Sequence, residues 1–121
     1  MSNITSVNGL YLYNNQINNI DGLSNITSIN GGLSLSNNQL TNVNGLSNLT
    51  TVNGYIYLFN NTNLVNLSGL KNIILDGNIA IDNHTITTKI PTGSRLCNIS
   101  EQSSFSSGFL QQVDACESVS N

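Results

Sequence analysis

Few residues of this chain could carry out acid–base, nucleophilic or metal chemistry. Its 121 residues include one histidine (His84), two cysteines (Cys97 and Cys116) and six acidic side chains. A catalytic nucleophile needs a neighbouring base, and a zinc site needs several ligands at close spacing. The sequence contains neither arrangement. It therefore predicts a protein that is not an enzyme and has no catalytic residues, no metal and no cofactor.

The two cysteines predict a covalent link rather than a reactive site. Both lie beyond residue 90, in the last part of the chain. A Cys97–Cys116 disulfide would close a loop and add roughly 3 kcal/mol of stability. It would also indicate an oxidising compartment. The alternative interpretation is two buried thiols in a cytosolic protein.

A short repeated segment determines where every other side chain must lie. The first residue of an Asn pair (His84 replaces the second Asn in the last copy) falls at positions 14, 37, 60 and 83, an interval of 23 residues each time. A fixed period of this length is typical of a solenoid, in which each repeat is one coil and the coils stack. Ahead of the second Asn pair, Leu33 and Leu35 alternate with polar residues, which predicts a short strand with the leucines inward.

Residues 33–40 match the pattern Leu-x-Leu-x-x-Asn-x-Leu, the core of the leucine-rich repeat, and residues 10–17 match it with Ile17 in place of the last Leu. Together with the flanking residues 45–49 and 52–54, the sequence resembles receptor L-domain repeats over about residues 3–90. This resemblance implies a right-handed solenoid whose parallel strands line one binding face, as in cell-surface proteins. The extra residue Asn63 in the third copy and His84 in the fourth depart from the pattern.

We therefore predict a mainly β fold, a right-handed parallel solenoid of four to five coils of about 23 residues each. Residues 1–90 form the repeats and residues 91–121 form a C-terminal cap. Glycines before each strand should mark bends with positive φ or close contact between coils. A short α-helix should close the stack, because five residues recur at helical spacing: Phe105, Phe109, Leu110, Val113 and Cys116.

The outward strand positions are the predicted binding face. They are Tyr11, Tyr13, Ser34, Ser36, Tyr57, Phe59, Asp82 and the non-polar Ala80, which is not counted as a binding residue. Aromatic side chains that no core requires favour recognition of a protein or carbohydrate surface. The alternative is ordinary cross-strand packing that shields a β-face.

The second Asn of each pair has a predicted structural role. Asn15, Asn38 and Asn61 would form a ladder that satisfies backbone groups at each turn, and His84 would substitute for Asn in this column. Seven Asn-x-Ser/Thr sequons are candidate glycosylation sites, although a chain rich in these residues contains several by composition alone. They are Asn3, Asn25, Asn48, Asn60, Asn66, Asn83 and Asn98.

Charge and hydropathy exclude several classes of partner. Only 7% of the residues are charged and the net charge is −3, so the sequence predicts no nucleic-acid partner. No apolar run approaches the ~18 residues of a membrane span. The first residues lack a signal-peptide pattern, so the chain either stays inside the cell or is part of a longer protein. The cysteines and sequons favour an extracellular or cell-surface location.

The sequence thus predicts a recognition or adhesion module that binds a protein or a glycan. The main alternative is a structural subunit that assembles end to end, because the first coil has only Met1 and Ser2 ahead of it to cover its apolar side. We expect this end to be covered by a second chain, or by residues further upstream in a longer protein. A minor alternative is an ice-binding solenoid, since Thr and Ser recur in phase at residues 5–6, 27–28 and 50–51.

Overall fold

The computed structural model describes residues 4–98 and 104–119, and these are mainly β-structure. Eight two-residue strands form two four-stranded parallel sheets. One sheet, here called the hydroxyl sheet, contains β1 (Ser6–Val7), β3 (Ser28–Ile29), β5 (Thr51–Val52) and β7 (Ile74–Leu75). The other, here called the aromatic sheet, contains β2 (Leu10–Tyr11), β4 (Leu33–Ser34), β6 (Ile56–Tyr57) and β8 (Ile79–Ala80). The predicted mainly β fold is confirmed.

Each strand pairs with the strand of the next repeat. In the aromatic sheet, Leu33 lies beside Leu10 on one side and Ile56 on the other. Backbone hydrogen bonds continue this register past the strand ends, since Asn14 N donates to Ser36 O at 3.1 Å. A two-residue strand is far too short to be stable alone, so the repeats depend on stacking.

Tight 3₁₀ turns connect the two sheets at similar positions of each repeat. They span Asp21–Leu23, Asn44–Leu46, Ser68–Leu70 and, in the C-terminal part, Arg95–Cys97. Gly45 lies in the second turn, where a Cβ atom would overlap the carbonyl oxygen of Ile20 in the preceding turn. This glycine therefore permits close contact between neighbouring repeats.

Positive φ falls on asparagine rather than on the glycines before the strands. Asn14, Asn37 and Asn60 have φ of 60°, 60° and 61°, whereas the positive-φ glycines among the described residues are Gly93 and Gly108. Asn tolerates this left-handed conformation better than other residues with a Cβ atom. Of the two alternatives predicted for the pre-strand glycines, the structure shows close contact between coils and not positive φ, since a Cβ atom at Gly77 would overlap the carbonyl oxygen of Gly54. The first Asn of the pair turns the chain instead.

The apolar core lies between the two sheets and is deepest in the middle repeats. Leu33, Ile56 and Ile79 are fully buried, as are Leu35 and Leu58. The first repeat is less well covered, because its apolar side chains have a neighbouring repeat on one side only. Its half-buried members are Val7, Leu10, Leu12, Ile17, Leu23 and Ile26.

Within residues 91–98 and 104–119, the cap contains one short α-helix, α1 (Gln112–Ala115), and its fold differs in part from the prediction. Phe105 forms a β-bridge with Ile79 instead of lying on a helix. Leu110 N donates to Ile81 O at 2.9 Å. The backbone carbonyl groups at the edge of the last strand accept hydrogen bonds from this segment. Gly108, at φ +85°, interrupts any helix there.

The remaining residues of the expected helical stripe also lie differently. Phe109 and Leu110 precede α1, Cys116 follows it as its C-cap, and Val113 is 64% exposed.

The disulfide prediction is confirmed, because Cys97 and Cys116 are bonded. The disulfide joins two parts of the cap. Next to it, Ile90 N donates to Ala115 O at 2.9 Å, so a backbone hydrogen bond attaches the cap to the last repeat.

Candidate functional site

The most distinctive surface is a row of aromatic rings on the outer side of the aromatic sheet. Tyr55, Tyr57 and Phe59 project to one side because side chains alternate along a strand. The rings of Tyr55 and Tyr57 are stacked with centroids 4.1 Å apart, and those of Tyr57 and Phe59 are 5.6 Å apart. The row ends on the cap, where the Phe109 ring lies 5.7 Å from that of Phe59.

The first repeat adds two rings, and all six together are here called the aromatic face. Tyr11 and Tyr13 are 54% and 52% exposed. The ring of Tyr55 lies directly over Gly32. A Cβ atom at Gly32 would overlap that ring, so the glycine lets the ring lie flat against the backbone.

The surroundings of Tyr55 shift the pKa of its hydroxyl. Partial burial of its hydroxyl raises the pKa of Tyr55 above the ordinary value of 10.0, and the adjacent Tyr11 raises it further by its charge. The Tyr55 hydroxyl therefore stays protonated, and can donate a hydrogen bond, over the whole neutral range.

Sequence reasoning found four of these six rings. The structure brings together Tyr11, Tyr13, Tyr57 and Phe59 as expected, but the cap covers part of Phe59. Tyr55 was missed, although it stands two residues before Tyr57 and so shares its strand phase. Phe109 could not have been found from spacing, because it reaches the face only through the fold of the cap.

The two serines of the predicted binding face point outward but are not accessible. Ser34 and Ser36 are 6% and 2% exposed. In the strand register, Ser34 lies between Tyr11 and Tyr57, and the larger side chains cover it. An outward strand position therefore did not give an exposed side chain here. The prediction that Ser34 and Ser36 belong to an accessible binding face needs correction. Ser36 Oγ is buried with no hydrogen-bond partner among the described residues.

The fourth repeat contributes less to the predicted binding face than its outward strand positions suggested. Ala80 is buried at 2% exposure. The Asp82 carboxylate accepts hydrogen bonds from the backbone N–H groups of Asn60 and Asn61, at 2.8 and 3.0 Å. Asp82 thus closes the turn of the preceding repeat. It is the only charged side chain at the outward strand positions, and its charge is already engaged.

The second Asn of the pair makes the contacts expected of a structural ladder. Asn61 is fully buried, and its Nδ2 donates to the carbonyl oxygens of Leu58 in its own repeat and Leu35 in the repeat before, both at 2.9 Å. Its Oδ1 accepts from Leu40 N at 3.1 Å. Asn38 makes the equivalent bonds one repeat earlier, to Leu12 O and from Ile17 N.

The two ends of this Asn column differ from its middle. Asn15 is exposed, and among the described residues its Nδ2 donates only to Leu12 O and Tyr13 O of its own repeat. His84 is half-buried and its Nε2 lies 2.7 Å from Leu64 O. A carbonyl oxygen can only accept, so Nε2 carries the proton and His84 links two repeats as the asparagines do.

His84 also lines a cavity of about 350 Å³ between the fourth repeat and the cap, together with Lys89 and Asp114. Within residues 4–98 and 104–119 there is no group of three or more His, Cys, Asp or Glu side chains that could hold a metal ion.

A shallow depression of about 690 Å³ lies next to the aromatic face, directly after Tyr13. It is lined by four amide side chains, those of Asn14, Asn15, Gln16 and Asn37. The left-handed backbone at the first Asn of each pair turns the chain here and leaves the Asn14 and Asn37 side chains exposed. Asn60 Nδ2 donates to Asn37 Oδ1 at 2.6 Å and extends the amide row by one repeat.

The sequons are spread over several surfaces. Asn25, Asn48, Asn60 and Asn83 are exposed, Asn66 and Asn98 are half-buried, and Asn3 lies outside the described residues. The Asn48 Nδ2 donates to Ser24 O at 2.8 Å, and the Asn60 Nδ2 donates to Asn37 Oδ1 at 2.6 Å. A glycan at either position would have to displace that bond.

Comparison with known proteins does not assign the chain to a class. No family model matches it, and no curated protein or solved structure shows significant similarity. In the part of the chain that the structure describes, no helix is both long enough and apolar enough to cross a lipid bilayer. Function must therefore be inferred from the residues of the aromatic face itself.

Proposed function

We propose that the protein is a non-catalytic recognition or adhesion module that binds its partner through the aromatic face. The observation that carries this proposal is that all four tyrosines and two of the three phenylalanines share one side of the aromatic sheet. Such clustering of rings outside the core is characteristic of binding surfaces.

The apolar core does not require the two most exposed rings. The inward column of the aromatic sheet already fills the core, with Leu33, Ile56 and Ile79 fully buried. Tyr11 and Tyr13 leave more than half of their surface in water. Tyrosine combines a rigid apolar ring with a polar tip, which gives contact area at low entropic cost.

We also propose the setting in which such a module would act. Residues 1–90 form a right-handed solenoid of four to five coils of the receptor L-domain type, and residues 91–121 form its cap. The 23-residue repeat pattern and the parallel register of both sheets support this arrangement. The Cys97–Cys116 disulfide supports an extracellular or cell-surface location, because such bonds persist in oxidising compartments.

The experiment exposes the immobilised protein to a phage-displayed random-peptide library and to a glycan array. The recognition function predicts selective ligands from at least one of the two, and loss of their binding in the double variant Tyr11→Ser/Tyr13→Ser. Ile74→Ser is the matched control, because Ile74 is an exposed apolar residue (49%) on the hydroxyl sheet. Absence of selective ligands from both sources, or ligands that bind the double variant equally well, would contradict the proposal.

A second candidate function is self-assembly through the first repeat. Val7, Leu10 and Leu12 are half-buried, and β1 and β2 each have a strand neighbour on one side only. Covering about 300 Å² of apolar surface would contribute roughly 7 kcal/mol before association costs. A second copy of the chain, or further repeats upstream, would supply this cover.

Particle size across a dilution series tests this candidate. Self-assembly predicts a size that increases with concentration, and a smaller size for Ile4→Lys, which places a charge at an exposed residue beside β1. A monomer at high concentration with a protected β2 strand would contradict it.

A further inference from the structure

The two most exposed rings of the aromatic face have surfaces open to a ligand. Tyr11 and Tyr13 stack on no other ring among the described residues, unlike Tyr57, which lies between Tyr55 and Phe59. The face of an aromatic ring is electron-rich, and the C–H bonds on one side of a sugar ring carry partial positive charge. A sugar ring therefore packs well against an exposed tyrosine.

The amides beside these rings match hydroxyl groups in their hydrogen-bonding capacity. Asn14 follows Tyr13 directly, and the depression that it lines also contains Gln16 and Asn37. An amide offers both donors and an acceptor, as a sugar hydroxyl does. Within the described residues, the side chains of Asn14 and Gln16 make no hydrogen bond, so their capacity is available to a ligand.

A buried hydroxyl within the face gives an independent observation. Ser36 is 2% exposed, points outward between Tyr13 and Phe59 in the register, and its Oγ has no partner in the described chain. A buried polar atom without a partner costs about 1–3 kcal/mol. A small movement of the Tyr13 ring would let a ligand hydroxyl reach Ser36 Oγ and remove this cost.

The charge of the face indicates a neutral ligand. None of the three basic residues Lys71, Lys89 and Arg95 occupies an outward position of the aromatic sheet, so an anionic ligand finds no cation there. A purely apolar peptide fits poorly as well, because it would cover several amides without satisfying them.

From these contacts we propose that the aromatic face binds a neutral oligosaccharide, a proposal that rests on the recognition function proposed above. A sugar ring stacks on Tyr13, with Tyr11 beside it. The amides of Asn14 and Gln16 bond its hydroxyls, and Ser36 accepts or donates one further bond. The binding mode combines ring stacking with amide hydrogen bonds and uses no metal ion.

The protein carries a built-in reporter for this proposal. It has no tryptophan, and its four tyrosines all lie on the aromatic face, so tyrosine fluorescence reports on that face alone. The test titrates the intact protein with hexasaccharides of glucose (β-1,4 and β-1,3), N-acetylglucosamine and mannose. A heparin-derived hexasaccharide is the anionic control.

The expected result is a saturable fluorescence change with at least one neutral hexasaccharide and none with the heparin fragment. Tyr13→Ser should weaken that binding about tenfold or more, the usual size for an aromatic hot spot. Ser36→Ala should weaken it by roughly 3- to 10-fold without lowering the melting temperature, because the hydroxyl has no partner in the free protein. Ile74→Ser should bind as the unaltered protein does.

Two results overturn the oligosaccharide proposal. One is the absence of any fluorescence response to the neutral panel while selected peptides bind the face, which leaves the recognition function standing. The other is sugar binding that Tyr13→Ser does not weaken, which places the sugar elsewhere. If neither sugars nor selected peptides bind, the recognition function is wrong as well.

Discussion

The two sheets of this protein have nearly the same inner surface and different outer surfaces. Their inward columns are aliphatic, Val7, Ile29, Val52 and Leu75 in the hydroxyl sheet and Leu10, Leu33, Ile56 and Ile79 in the aromatic sheet. The outward columns read Ser6, Ser28, Thr51 and Ile74 in one, and Tyr11, Ser34, Tyr57 and Ala80 in the other. The core therefore constrains one side of each strand and leaves the other side available for a function.

Polar side chains beside the hydroxyl sheet stabilise the stacking of repeats. Thr50 Oγ1 donates to Thr27 O at 3.0 Å, and Thr27 Oγ1 donates to Thr5 O at 3.2 Å. The rings of the aromatic sheet instead contact one another on the outer surface. This difference supports the proposal that the aromatic side binds a partner, whereas the hydroxyl side stabilises the fold.

The largest expected effect tests whether the inner surfaces of the two sheets contribute equally to stability. Leu33→Ala in the aromatic sheet and Ile29→Ala in the hydroxyl sheet should each lower the free energy of unfolding by about 2–5 kcal/mol. Both side chains are fully buried in the same core, so both substitutions leave a cavity. Urea denaturation of the two variants measures this. A loss in one sheet but not in the other would mean that the sheets do not share a single cooperative core.

Reduction of the disulfide tests how the cap supports the end of the aromatic sheet. Cys97 and Cys116 are separated by 19 residues, and opening that loop should cost roughly 3 kcal/mol. The Ser106 and Leu110 amides, which bond to Ile79 O and Ile81 O, should then exchange faster with solvent.

Thermal unfolding and hydrogen exchange with and without reductant measure both effects. The double variant Cys97→Ser/Cys116→Ser, itself insensitive to reductant, is the control. An unchanged melting temperature on reduction would show that the cap does not stabilise the sheet.

The asparagine ladder predicts an intermediate effect that depends on position. Asn61→Ala should destabilise by about 1–3 kcal/mol, because it leaves buried backbone groups of two repeats unpaired. Asn15→Ala should cost clearly less, since Asn15 is exposed and water can replace its bonds. Denaturation midpoints of the two variants compare these two losses of stability. Equal losses would mean that the bonds between repeats contribute nothing beyond the local turn.

The smallest predicted effect is a pH dependence specific to the aromatic face. The pKa of Tyr55 is raised above its ordinary value of 10.0 in the folded protein, so the unfolded chain loses this proton at lower pH. The stabilisation that the raised pKa of Tyr55 gives the folded protein is complete below about pH 10 and is lost as the pH rises further. The melting temperature should therefore fall between pH 9 and 11 more in the unaltered protein than in Tyr55→Phe. Parallel decreases in the two proteins would contradict this assignment.

The sequence predicted the regular parts of the molecule because their causes are local and periodic. Alternation of Leu33 and Leu35 gave the strands, the interval between Asn pairs gave the register, and the Cys97–Cys116 pair gave the disulfide. Each inference depends on a pattern that repeats or on one pair of residues. Such patterns carry through to the structure because stacking enforces them.

The surface was harder to predict, because accessibility depends on neighbours that are distant in sequence. Ser36 has an outward phase, yet the residues on both sides bury it. Asp82 became a turn-closing acceptor because the fourth copy departs from the others. Phe109 joined the aromatic face through a cap segment that pairs with Ile79 and Ile81 instead of forming a helix. None of these outcomes follows from periodicity.

The most direct test of the central claim measures stability and binding in the same variant. The claim is that the exposed rings of the aromatic sheet serve recognition and not folding. In Tyr11→Ser/Tyr13→Ser, the free energy of unfolding should stay within about 1 kcal/mol of the unaltered protein, because both rings are more than half exposed. Binding to ligands selected on the unaltered protein should be lost. A stability loss of several kcal/mol, or full retention of binding, would contradict the account.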